Sequence, residues 1–108
     1  MKTDLIDGCK VVYLKEESFP PSEFVEKSIL IVHDYKAGCY DGDGNCIGKT
    51  KDGKYYEHDM CHCSCYDEWE NGFPTCLYDT FEELITKCGY LKDREVIKTF
   101  IEFDNGRV

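Results

Sequence analysis

The sequence predicts an α+β fold: a small antiparallel β-sheet of three to four strands, one or two C-terminal helices, and a metal knuckle. All of it is read as a single domain, 1–108. Three observations carry the prediction. The first half of the chain holds short β-branched runs separated by turn residues, the C-terminal third switches to a helical period, and Cys61-His62-Cys63-Ser64-Cys65 packs four possible metal ligands into five residues.

The elements follow in order. Lys10 to Lys15 has strand character, and Phe19-Pro20-Pro21-Ser22 reads as a loop because consecutive prolines fix the backbone and remove donors. Phe24 to Tyr35 contains Ile29-Leu30-Ile31-Val32, a run suited to a central, well-buried strand. A polar, glycine-rich loop or wide turn spans Lys36 to Cys46. Ile47 to Thr50 and Lys54 to His58 then flank Lys51-Asp52-Gly53, a hairpin signal because the turn requires positive φ. The second arm runs directly into the cysteine cluster. Thr80 with Glu83 three residues on fits a capping box, Phe81, Leu84, Ile85 and Cys88 recur at helical spacing, and Gly89 stops the helix. Asp93 is the expected cap of a second helix with Val96, Ile97, Phe100 and Ile101 on its inner face. A terminal strand is the alternative there, since Val96 to Phe103 is also rich in β formers.

At a formal charge of −9, with thirteen basic residues scattered among twenty-two carboxylates, direct nucleic-acid binding is not expected. An acidic surface suits solubility or a basic groove on another protein. Eight tyrosines, six phenylalanines and one tryptophan supply rings for a core and for partner contacts. The first fifteen residues lack an apolar stretch of the signal-peptide kind, and Ile29 to Val32 is far too short to span a bilayer. No membrane association is expected, and the eight cysteines are read as thiols of a reducing cytoplasm unless a metal holds some of them.

Around the cluster, alternate Cα atoms of an extended strand lie ~6.6 Å apart, whereas thiolates on one zinc sit ~3.7 Å apart. Two candidate shells follow: Cys61, Cys63 and Cys65 on a nearly straight backbone, or His62, Cys63 and Cys65 around a bend that turns His62 inward. The fourth ligand is sought among His33, Asp34, Cys39, Cys46 and His58; His33 is read first as a hydrogen-bonded strand-end residue and Asp34 as a turn carboxylate. Cys9, Cys76 and Cys88 are read as structural.

Asp41, Asp43 and Asn45 fall at the first, third and fifth places of a calcium loop, but Cys46 stands where glycine is needed and Asp52 where glutamate closes the site. Glu57, Asp59, Glu68 and Glu70 surround the cluster, yet the zinc-deaminase signature, a phosphate loop and a nucleophile elbow are all missing from the sequence. Carboxylate neighbours disfavour a thiolate, so a reactive cysteine is not the preferred reading. A structural metal that staples a small domain is.

The stretch Gly53-Lys54-Tyr55-Tyr56-Glu57, followed by His62-Cys63-Ser64-Cys65-Tyr66, Trp69-Glu70 and the capped helix, resembles a group of small phage-encoded proteins sharing an "HCSCY" motif. The resemblance covers residues 30 to 90 and looks like the zinc-binding type II anti-CRISPR inhibitors of Cas9. It implies a non-enzymatic inhibitor of a CRISPR effector nuclease acting in the host bacterial cytoplasm, with bound Zn2+ and His62, Cys63 and Cys65 as ligands. Cys61 departs from the pattern, where relatives carry a small residue, and leaves the fourth position open between Cys61 and Asp34.

Overall fold

The computed structural model describes residues 1–38, 41–61, 67–70 and 72–106. Its centre is a five-stranded sheet built from β1 (Lys2–Ile6), β2 (Cys9–Tyr13), β3 (Ser28–His33), β6 (Asn45–Thr50) and β7 (Tyr55–Asp59), in that spatial order. A two-stranded ribbon, β4 (Lys36–Ala37) with β5 (Gly42–Asp43), interrupts the connection between β3 and β6. The glycine-rich segment expected to be a loop or wide turn therefore contributes an antiparallel strand pair.

The class is α+β as expected, but the sheet is mixed rather than antiparallel. β2 and β3 run parallel, with Val11 opposite Ile31 and Val12 opposite Val32. Parallel neighbours need a crossover, and the segment after the paired prolines supplies it as α1 (Ser22–Lys27), which buries Phe24 and Val25. The strand count exceeds the expected three to four because Lys2–Ile6 pairs with β2 through a two-residue turn at Asp7-Gly8. Both turn residues have positive φ, 50° and 85°, as such a turn demands.

Two faces of the sheet are covered, so successive strand residues go to opposite cores. Val11, Tyr13, Ile31, Cys46 and Tyr56 join Phe24, Met60 and Trp69 on one side. Val12, Leu30, Val32 and Ile47 meet the helices on the other. Those helices are α2 (Phe81–Lys87) and α3 (Glu95–Asp104), joined through a 3-10 turn at Gly89–Leu91. Thr80 caps α2 as predicted, its Oγ1 accepting from the Glu83 N–H at 3.1 Å. The second helical prediction holds over its strand alternative, with two adjustments. Arg94, not Asp93, occupies the cap position, and the inner face uses Phe103 where Ile101 was expected; Ile101 is 41% exposed. Among the described residues no helix is long and apolar enough to cross a membrane.

Candidate metal centre

His62, Cys63 and Cys65, the core of the predicted site, lie outside the described residues, as does Cys39. The residues on either side of the cluster are held by contacts with β7 and with the Gly44 backbone. β7 ends at Asp59, and Met60, fully buried, donates its backbone N–H to Gly44 O at 2.9 Å. On the far side His58 Nε2 donates to Glu68 O at 2.9 Å, and the His58 ring stacks on Trp69 with centroids 5.3 Å apart and planes 2° from parallel. Cys61 begins the cluster as an exposed thiol. The two ends of the ligand-rich stretch are thus tied to each other through β7.

A serine outside the cluster organises this end of the molecule. Ser18 Oγ accepts from Trp69 Nε1 at 2.9 Å and donates to Glu68 Oε2 at 2.5 Å, while its carbonyl accepts from His33 Nε2 at 3.0 Å. His33 Nδ1 accepts from the Tyr35 N–H at 3.2 Å, so both ring nitrogens are used and the neutral tautomer carries its proton on Nε2. Burial pushes the basicity of His33 down, as it does for His58. His33 is a structural histidine here, the reading the sequence favoured first.

Asp34 is equally engaged. Its Oδ1 accepts from the Asn45 N–H at 2.7 Å and its Oδ2 from Arg94 Nη2 at 2.7 Å. Arg94 Nη1 also donates to Asn45 Oδ1 at 3.1 Å, and Asn45 Nδ2 donates to both Glu57 Oε2 and Asp59 Oδ1 at 3.0 Å. Asn45 therefore joins three carboxylates and a guanidinium, which explains its burial far better than calcium binding does. Cys46 is fully buried with its thiol pushed well up, first by burial and then by Glu57. Among the described residues no grouping of three His, Cys, Asp or Glu side chains could hold a metal ion. A centre built on His62, Cys63 and Cys65 has Cys61 as its nearest described neighbour in the chain, whereas Asp34 would first have to leave Arg94.

Sequence reading missed Ser18 and Arg94, and considered Asn45 only as a position of a calcium loop. The alternation of Glu57 and Asp59 on one face of β7 was a usable signal, because two carboxylates at i and i+2 on a half-buried strand need donors opposite, and Asn45 faces Asp59 in the ladder. Burial, followed by the neighbouring Asp59, raises the Glu57 carboxyl to about 7. Between the unfolded value of 4.5 and that pH the native state holds the extra proton, so this group's contribution to stability falls as pH rises. Glu57→Gln keeps an oxygen to accept from Asn45 and has no charge to desolvate. The variant is expected to match or trail the parent near pH 4 and to exceed it near pH 8. The gain should be roughly 1–2 kcal/mol, reduced from full linkage because the carboxyl is only half-buried. Urea melts at the two pH values decide it, and a pH-independent difference would contradict the assignment.

The same end of the sheet gathers negative charge. Glu16, Asp41, Asp43, Asp59, Asp67 and Glu70 are exposed on the segments that meet there. The Glu16 N–H donates to Tyr35 O at 3.2 Å, and Glu16 Oε2 accepts from the Ala37 N–H at 3.0 Å. The Tyr35 hydroxyl loses acidity through burial and then through Glu68 and Glu16, with Asp41 a smaller influence. Compared with known proteins, the chain matches no protein-family model, no curated sequence and no solved structure.

Proposed function

We propose that the chain is a non-enzymatic, phage-encoded anti-CRISPR protein that binds a Cas9-type effector in the host bacterial cytoplasm and blocks nucleic-acid loading or cleavage. Structural Zn2+ on His62, Cys63 and Cys65 would hold the binding end in shape, with Cys61 the preferred fourth ligand and Asp34 the other. The observation that carries the reading is the collection of exposed carboxylates around the ligand-rich stretch, on a chain of net charge −9. Effector nucleases hold their guide–target heteroduplex in a positively charged channel, and an acidic protein end is complementary to such a channel. The "HCSCY" resemblance names this partner class.

The reading predicts a salt-sensitive complex. Raising ionic strength from about 0.05 to 0.3 M should weaken binding to a purified Cas9 by roughly tenfold or more, and Asp41→Lys with Asp43→Lys should do so at low salt. Both side chains are exposed, Asp43 on β5 and Asp41 just before it, and neither belongs to a buried core, so folding is not at stake. Inhibition of target cleavage read alongside binding tests the function itself. A complex indifferent to salt and to both substitutions would overturn the electrostatic mechanism. Retained metal without binding to any Cas9 would leave a zinc-stabilised interaction domain with another host or phage partner.

A further inference from the structure

We propose that the free edge of the sheet is a self-association surface, on which β1 of a second copy docks antiparallel to form a continuous ten-stranded sheet. Among the described residues nothing pairs with the outer side of β1. Leu5 on the strand and Met1 just before it are the two most exposed large apolar side chains among the described residues, at 74% and 75%.

The hairpin determines which backbone groups are free. Ile6 and Cys9 close a two-residue turn, so Ile6, Asp4 and Lys2 exchange hydrogen bonds with β2, opposite Cys9, Val11 and Tyr13. The N–H and C=O of Thr3 and Leu5 consequently point away from the sheet. A symmetric antiparallel pair must place these outward residues opposite one another. Centred on Thr3, the register sets each Thr3 against its own copy, Met1 against Leu5, and Lys2 against Asp4. Every pair is then favourable: threonine with threonine, apolar with apolar, and cation with carboxylate. The next permitted register, displaced by one pair, sets Asp4 against Asp4 and is disfavoured by like charge.

That self-complementarity is what selects a second copy over an unrelated strand. Edge strands that are meant to stay free carry features that repel their own image, whereas Lys2-Thr3-Asp4 attracts its image in one register only. Lys2 already bonds Glu17 Oε1 at 2.6 Å, but the ammonium is half exposed and has further donors for a second carboxylate. A pairing of five residues a side, Met1 to Leu5, is small, and the two copies carry −9 each, so dimerisation belongs to the weak class and needs moderate salt.

Sedimentation equilibrium over about 0.01 to 1 mM, under reducing conditions at moderate ionic strength, tests the proposal. The expected result is a concentration-dependent rise from one chain to two. Thr3→Pro removes only an outward N–H and should hold the protein monomeric with an unchanged far-UV spectrum. Asp4→Lys should weaken dimerisation at least about tenfold, since both cation–carboxylate pairs become repulsive. Lys2→Asp combined with Asp4→Lys should restore most of it. If Thr3→Pro proves to be misfolded, the charge swap decides alone. A monomer throughout the range, a dimer indifferent to Thr3→Pro in a folded variant, or a double swap no better than Asp4→Lys would each overturn the proposal.

Discussion

Gly48→Ala should destabilise the protein by roughly 3–5 kcal/mol, enough to lower Tm by on the order of 10–20 °C. Gly48 sits in the middle of β6 directly opposite Tyr56 of β7. A β-carbon built there would lie 2.0 Å from Tyr56 Cζ and 2.3 Å from its hydroxyl oxygen. The ring cannot swing clear. It is fully buried, its hydroxyl shares a hydrogen bond with Ser28 Oγ at 2.7 Å, and Phe73 and Phe24 pack against it at centroid distances of 4.9 and 6.1 Å. Relief would require breaking the buried Ser28 bond or shifting the β6–β7 ladder, and both cost more than a single overpacked methyl usually does. Tyr56→Leu removes the obstructing part of the ring, so Gly48→Ala added to it should cost much less than it does alone. Urea titrations of the four proteins complete that cycle. A single Gly48→Ala within about 1 kcal/mol of the parent would show that the ring does not lie across the glycine.

The contrast between Gly48 and the residues that were legible shows what kind of information the sequence carries locally. Thr80 and Glu83 announced α2 because a capping box is satisfied within four residues. Gly53, with φ +87°, announced the β6–β7 hairpin in the same way. Asp7-Gly8 carried an equally local signal, and the β1–β2 hairpin could have been read from it. Gly48 has no unusual φ and no local signature. Its constraint comes from Tyr56 across the ladder, and only the register reveals it.

Longer-range features escaped for related reasons. α1 spans six residues and buries only Phe24 and Val25, too little for a helical period to rise above the preceding prolines. Without α1 there was no crossover, and without a crossover β2 and β3 were expected to be antiparallel. At the candidate site the ligand-rich stretch was obvious from composition, whereas its scaffold was not. Ser18 is 51 residues from Trp69 and Arg94 is 60 from Asp34, and neither separation leaves a periodic trace. The scaffold also bears on the open ligand. Recruiting Asp34 would break a 2.7 Å ion pair and strip the Asn45 N–H of its acceptor, whereas recruiting Cys61 disturbs no described contact.

On the proposed zinc staple, removal of the metal should loosen the Trp69 end of the molecule before the helical side. Cys63→Ser and Cys65→Ser are each expected to lose zinc and roughly 3–5 kcal/mol of stability. This is less than the ~10–16 kcal/mol of domains that fold only on binding, because two apolar cores stand on either side of the sheet without the metal. Cys61→Ser should show the same loss if Cys61 is the fourth ligand, and Asp34→Asn should then keep its zinc while losing the Arg94 ion pair. The ends of the ligand-rich stretch are Met60, buried against Gly44, and Trp69, stacked on His58 and bonded to Ser18. Releasing the ligands leaves those ends joined only by their contacts through β7, and Trp69 is the sole tryptophan of the chain. Its emission should therefore move to longer wavelength on chelation, in step with metal loss measured by elemental analysis. Zinc absent from tag-free protein, or Cys63→Ser and Cys65→Ser folding as stably as the parent without it, would remove the metal staple from the account.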